Sequence, residues 1–163
     1  MQSFWRRCRR RLRALSLFSW NDRVLSLESL AMLAAARLLV KTTSAERFTA
    51  RMGGATVSGI PSSGGNVTNG STMTPDGCQA VRVGAMLERV ARVTWWRSLC
   101  LEKAIAGRWM LRRRGIASTI YVGMAKSAQG FVAHAWLVGE GQTVTGAGDT
   151  TYATLAAFSE SAR

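Results

Sequence analysis

The spacing of apolar residues changes period at Gly115, and this change constrains the fold more than any other feature of the chain. Three segments before it have apolar residues at helical spacing: 23–41, 78–93 and 99–113. Three segments after it read as short strands: 118–123, 130–138 and 142–145. Helices followed by strands, with turn glycines at Gly139 and Gly141, are typical of an α+β domain with a small antiparallel sheet.

Local residue chemistry predicts where several of these elements end. Asp76 is the expected N-cap of the second helix, and Gly115 is the residue expected to end the third. The tail from Tyr152 to Phe158 is expected to close the domain as a short helix.

The length of 163 residues suits one compact domain, here preceded by a basic arm. We assign residues 1–22 to the arm and residues 23–163 to the domain. The arm carries six arginines: Arg6, Arg7, Arg9, Arg10, Arg11 and Arg13. Within the domain we expect a short helix over 44–52. A loop rich in Gly, Ser, Thr and Asn follows over 53–75, and it is either a linker or a mobile lid.

The chain is strongly basic, with 22 Lys and Arg against 9 Asp and Glu and a formal net charge of +13. Such a charge attracts polyanions, anionic lipid surfaces and acidic peptides, and does not choose between them. The three cysteines, Cys8, Cys78 and Cys100, are too few and odd in number for a disulfide framework and suit a reducing compartment. No cysteine pair has metal-ligand spacing and there is one histidine, so no metal site is expected.

The N-terminal arginines are not followed by an uninterrupted apolar run with a small-residue cleavage site, so no secretion signal is expected. The most apolar segment, 25–40, contains Glu28 and Arg37 and is too short to span a bilayer comfortably. We therefore expect a cytoplasmic protein. If the arm is helical, it could bind an anionic membrane surface or an acidic partner. The alternative is a solvated terminus.

Cys100 is the candidate nucleophile because it lies at the start of the third predicted helix. The N-terminal end of a helix carries partial positive charge and free N–H groups, which stabilise a thiolate. The same N–H groups could form part of an oxyanion hole. The alternative is a buried structural cysteine.

His134, the only histidine, is the candidate general base. It lies in the second predicted strand, where Val132, His134, Trp136 and Val138 share one mostly apolar face. A Cys–His pair needs the base within hydrogen-bond reach of the sulfur, and a strand facing a helix terminus can supply it. The alternative is a histidine that serves only in the core.

Asp149 is the candidate third group, which would orient the imidazole of His134. It follows the third predicted strand, and the alternative is an aspartate in a glycine-rich turn. Trp96 and Trp136 flank the two catalytic positions and are candidate substrate-binding residues, with core packing as the alternative.

Four segments carry a resemblance to a known family: 96–101, 110–116, 121–123 and 131–137. Their pattern is W-x-S-x-C-L, then R-R-G-I, then A-H-A-W. From about residue 24 to residue 158 the chain resembles the lasso-peptide B proteins, which are leader peptidases with a papain/transglutaminase-like fold. The resemblance implies a nucleophile at Cys100 and a base at His134, with no cofactor. The family's acid lies after the histidine strand, where Thr145-Gly146 stand in this sequence, so Asp149 is the nearest candidate.

The resemblance also implies a reaction and partners. Such proteins cut the leader from a ribosomally made precursor peptide through a thioester acyl-enzyme, and an ATP-dependent lasso cyclase then uses the new amine. Many members borrow leader recognition from a separate small protein. Since no such domain fits before residue 24, a separate leader-recognition protein is the implied partner here.

Two other functions stay open at the level of sequence. The same Cys–His pair could serve a transglutaminase-fold acyltransferase with another acceptor. Alternatively, the chain could be a non-catalytic basic adaptor that binds anionic lipid or nucleic acid through its arm. We expect no nucleic-acid partner, because the aromatic residues do not interleave with basic residues as RNA-binding sheets require.

Overall fold

The structure, a computed structural model, describes residues 20–43, 74–127, 130–146 and 152–160. Within these ranges three helices precede four strands. The helices are α1 (Trp20–Thr42), α2 (Pro75–Val93) and α3 (Cys100–Arg112). The strands are β1 (Ser118–Ser127), β2 (Gly130–Gly139), β3 (Gln142–Thr145) and β4 (Ala153–Glu160). The α+β class predicted from the change of period is confirmed.

Thr74, and not Asp76, is the N-cap of α2. The Oγ1 of Thr74 accepts a hydrogen bond from the N–H of Gly77 at 3.0 Å, and Pro75 is the first helical residue. The prediction of Asp76 as the cap is wrong, because a proline at the first helical position leaves the preceding residue as the cap. Asp76 lies instead in the first turn, where its charge complements the helix dipole.

The third helix ends as predicted, at a left-handed glycine. Gly115 has φ 71°, and its N–H donates to the carbonyl oxygen of Arg112 at 3.0 Å. The guanidinium of Arg114 lies 2.6 Å from a carboxylate oxygen of Glu28 on α1. This ion pair ties the C-terminal end of α3 to the neighbouring helix.

The strands form one antiparallel sheet in the order β3-β2-β1-β4. The tail predicted as a closing helix is therefore wrong, since Tyr152 precedes β4 and Ala153–Glu160 pairs with β1. Its three alanines favoured a helix. Hydrogen bonding to β1 and packing on the sheet outweigh that weak preference.

The core lies between the helices and one face of the sheet. Leu33 of α1, Leu87 of α2 and Ile105 of α3 are fully buried, and they meet Ile120 of β1 and Leu137 of β2 in one apolar cluster. This packing holds α3 against the middle of the sheet, so the first residues of α3 meet the strands at a defined place.

Several predictions concern residues outside the described ranges. They are the arm up to residue 19, the helix over 44–52, most of the loop over 53–75, and Asp149. Of the helices that the structure describes, none has both the length and the apolar character needed to cross a membrane.

Candidate active site

Cys100 is the first residue of α3, as predicted from the sequence, and it is half-buried. Leu99, just before it, is extended with φ −78° and ψ 159°, so the helix begins abruptly at the cysteine. The N–H groups of a first helical turn have no acceptor within the helix. The positive end of the α3 dipole therefore lies beside the thiol, and the N–H groups of this turn are available to stabilise an oxyanion.

A buried carboxylate holds the chain just before Cys100. Glu102 is 2% exposed, and its Oε2 accepts a hydrogen bond from the N–H of Leu99 at 3.1 Å. Its Oε1 lies 3.4 Å from an Nη of Arg37 on α1, and the same Nη donates to the carbonyl oxygen of Arg97 at 3.1 Å. The Arg37–Glu102 pair thus fixes the backbone at two points within the three residues preceding the nucleophile.

His134 lies in β2 and is half-buried. Leu137 points into the helix-facing core, so the alternation of the strand places His134 and Trp136 on the opposite face. β3 pairs with β2 only from Leu137 to Gly139, and the edge of β2 beside His134 has no described strand next to it. The imidazole reaches the carbonyl oxygen of Gly146 at the end of β3 along this open edge.

The hydrogen bond to Gly146 decides the tautomer of His134. Nε2 lies 2.9 Å from the carbonyl oxygen of Gly146. A carbonyl oxygen can only accept, so the neutral ring carries its proton on Nε2 and has its lone pair on Nδ1. The arrangement leaves Nδ1 as the atom that can take a proton from a thiol.

Gly146 is required for this hydrogen bond for two reasons. Its φ of 78° is in the left-handed region, which side chains other than glycine rarely adopt. A Cβ at this position would lie 2.7 Å from the carbonyl oxygen of Ala135 and 2.9 Å from Cβ of Trp136. The sequence analysis placed no role on Gly146, although a glycine directly after a strand signals special backbone geometry.

Aromatic rings pack beside the imidazole. The ring of Tyr152 stacks on His134 with centroids 4.8 Å apart and planes 24° from parallel. Trp136 lies nearly parallel to His134 at 6.3 Å, and Tyr121 of β1 stacks on Trp136 at 5.5 Å. Stacked rings restrict the imidazole to one plane. Tyr152 was not predicted as a site residue.

Cys100 and His134 line one cleft of about 500 Å³. The cleft lies between the first residues of α3, the last residues of α1 and three strands of the sheet. Among the described residues the thiol and the imidazole share no direct hydrogen bond. The imidazole is on the face of β2 opposite the helix-facing core and borders the cleft from the open edge of that strand, so the two groups come within hydrogen-bond distance only if the ring turns around that edge. Within the described part of the molecule, no group of three histidine, cysteine or acidic residues could hold a metal ion.

The structure places the two tryptophans in packing positions. Trp136 is 6% exposed within the aromatic stack, and Trp96 is partly buried against the core cluster. Neither is among the described residues lining the cleft. Their role in substrate binding stays a prediction, as does the role of Asp149, which lies outside the described residues.

A family model for the transglutaminase-like superfamily matches residues 5–157. The chain belongs to this superfamily. The matched range includes α1 to α3, most of the sheet, and both Cys100 and His134. No curated protein and no solved structure matches the chain.

Membership of the transglutaminase-like superfamily agrees with the site described above. The superfamily includes cysteine peptidases, and its fold suits protease or acyltransferase chemistry. The match begins at residue 5 and so takes in most of the segment assigned to the basic arm.

Proposed function

We propose that this chain is a cysteine protease that removes the leader from a ribosomally synthesised lasso-peptide precursor. The observation that supports the proposal is that one cleft is lined both by Cys100, at a helix start, and by His134, whose Nε2 binds a carbonyl oxygen. The resemblance of segments 96–101 and 131–137 to the lasso-peptide B proteins supplies the substrate class.

The proposed reaction begins with proton transfer from the Cys100 thiol to Nδ1 of His134. The sulfur attacks the scissile carbonyl, and N–H groups of the first turn of α3 stabilise the oxyanion. His134 then donates the proton to the leaving amine, which is the N-terminus of the core peptide. The leader remains on Cys100 as a thioester, and water activated by His134 releases it as a free acid.

The carbonyl of Gly146 holds the imidazole during both proton transfers, because it accepts from Nε2 in the neutral and the protonated ring. We retain Asp149 as the proposed third residue. It would have to share the Nε2 proton with Gly146, so its contribution is expected to be smaller than that of the Cys–His pair.

The proposal includes partners and a compartment. A separate leader-recognition protein would deliver the precursor, and an ATP-dependent lasso cyclase would consume the new amine. All three would work in the cytoplasm.

A transglutaminase-fold acyltransferase is the second candidate function, and the apolar lining of the cleft supports it. The lining of the cleft is largely apolar. Such a surface holds few ordered waters, so an amine could intercept the thioester before water does. The product would then be an amide rather than a free leader acid.

One experiment separates these functions. Purified protein is incubated with a candidate precursor and its recognition protein, and the products are weighed by mass spectrometry. The proposal expects a free leader acid and a shortened peptide, neither of which forms with Cys100→Ala. Intact precursor with the wild type, or undiminished cleavage by Cys100→Ala, would contradict it, while a leader–amine conjugate would select the acyltransferase.

A further inference from the structure

A row of side chains across the sheet lies beyond the N-terminal end of α3. Val122 of β1 stands opposite Ala135 of β2 and Ala156 of β4, so the three residues lie side by side on the helix-facing side of the sheet. All three line the cleft that holds Cys100 and His134. This row forms the floor of the cleft.

The next row along the same strands shows why the cleft is there. Ile120, Leu137 and Phe158 are paired in the same way, and each is at most 5% exposed in the core. The helices cover Ile120 and Leu137, while Phe158 borders the cleft. The cleft begins where α3 begins, because no described helix continues over the row of Val122, and two of the three floor residues are alanines.

The cleft is suited to an apolar ligand group. Its remaining walls include Val40 from the end of α1 and Leu101 from the first turn of α3. Among its described lining residues, Cys100 and His134 are the two ionisable ones, and Thr43 is the one further polar residue. A charged side chain entering the cleft would lose its hydration without gaining a partner. The volume of about 500 Å³ exceeds what one small side chain would fill.

We propose that this cleft is a specificity subsite for a large apolar side chain of the substrate peptide, of the size of leucine or phenylalanine. The side chain belongs to the residue on the acyl side of the bond that Cys100 attacks. The inference rests on the proposed function only in taking Cys100 as the nucleophile, and it holds for any peptide substrate.

The size of Ala156 sets the size of the side chain that the subsite accepts. Ala156 is on the edge strand β4, and β1 separates it from the histidine strand. A larger residue there would fill the far end of the floor without contacting the Cys–His pair. Ala156→Phe is therefore expected to convert a preference for large apolar side chains into a preference for small ones.

The test uses the full chain and peptidyl fluoromethyl ketones whose residue next to the electrophile is Phe, Leu, Ala, Asp or Lys. The Cys100 sulfur displaces fluoride, so a carbon–sulfur bond forms and a carbon–fluorine bond breaks. Peptide mapping follows the labelling rate at Cys100, and iodoacetamide serves as a probe too small to need the subsite.

The wild type is expected to react at least about tenfold faster with the Phe and Leu probes than with the Asp and Lys probes. Ala156→Phe should slow the Phe probe about tenfold relative to the Ala probe, with an unchanged rate for iodoacetamide. Leu155→Phe is the matched control, because Leu155 is the neighbouring residue on β4 and is 57% exposed. It should leave every rate unchanged.

Equal rates for apolar and charged probes would overturn the inference, as would an unchanged Phe-to-Ala ratio in Ala156→Phe. If Ala156→Phe does not fold, Val122→Ala replaces it, and the enlarged floor should raise the Phe-to-Leu ratio. The same measurements distinguish failure of the subsite from failure of the proposed function. An apolar preference without precursor cleavage would keep the subsite and reject the leader peptidase, and a Cys100 inert to iodoacetamide and to all ketones would reject both.

Discussion

Cys100 and His134 are held in place by different kinds of interaction. The backbone before Cys100 is held by an ion pair with one buried partner, in which Glu102 accepts from the N–H of Leu99 and Arg37 donates to the carbonyl of Arg97. His134 is held without any described charged residue, by the carbonyl of Gly146 and the stacked ring of Tyr152. Charged groups therefore fix the backbone before Cys100, whereas neutral groups hold a ring that changes its charge in the proposed mechanism.

Removing His134 should have the largest effect. His134→Ala deletes the proposed base, so the cleavage rate should fall by about a hundredfold to ten-thousandfold. Single-turnover cleavage measured by mass spectrometry checks this, with far-ultraviolet circular dichroism as a folding control. A variant that cleaves at the wild-type rate would show that the two halves are not a pair.

Breaking the ion pair tests the Cys100 half of the comparison. Arg37→Met leaves the Glu102 carboxylate buried without its cation, which should lower the free energy of unfolding by about 3 kcal/mol. Glu102→Gln is the matched variant. It should cost less, because it keeps an acceptor for Leu99 and because the side chain of Arg37, at 29% exposure, can hydrate.

Urea denaturation measures both variants. We expect Arg37→Met to be the less stable of the two, and we expect iodoacetamide to alkylate Cys100 of folded Arg37→Met more slowly than Cys100 of the wild type. The reverse order of stability would mean that an unpaired Glu102 carboxylate is not what destabilises the Arg37→Met variant.

Displacing the Gly146 carbonyl tests the His134 half. Gly146→Ala meets both an unfavourable φ and a close contact with Ala135, so the loop should shift and the hydrogen bond to Nε2 should lengthen. We expect a loss of about 1–3 kcal/mol in stability and a lower kcat. Gly141→Ala is the control, because Gly141 has a similar φ of 70° and an open environment. Equal losses of kcat in the two variants would remove any special role for Gly146.

The smallest expected effect belongs to the stacked tyrosine. Tyr152→Leu keeps an apolar contact but removes the π face over the imidazole, which is worth about 0.5–1.5 kcal/mol. The cleavage rate should therefore fall by roughly threefold to tenfold. Tyr121→Leu, one ring further along the stack, should alter stability more than rate, and an identical rate effect would show that the stack acts only in packing.

The sequence predicts the three described helices, the first three strands and the position of Cys100 at a helix start, because periodicity and helix-start chemistry are local signals. It does not predict the last strand, since the preference of β4 is decided by its pairing with β1. The contact between Arg37 and Glu102 joins residues far apart in the chain. The partner of His134 is a backbone carbonyl, and carbonyls are present at every residue, so only the fold shows that Gly146 supplies it.

The central claim is that Cys100 is the nucleophile and His134 its base within one cleft. Rapid acid quenching during cleavage of a precursor, followed by intact mass and peptide mapping, tests it directly. We expect a transient adduct with the mass of the leader acyl group on Cys100, formed much more slowly in His134→Ala and absent in Cys100→Ala. Precursor cleavage that proceeds with no adduct on Cys100, and equally in Cys100→Ala, would contradict it.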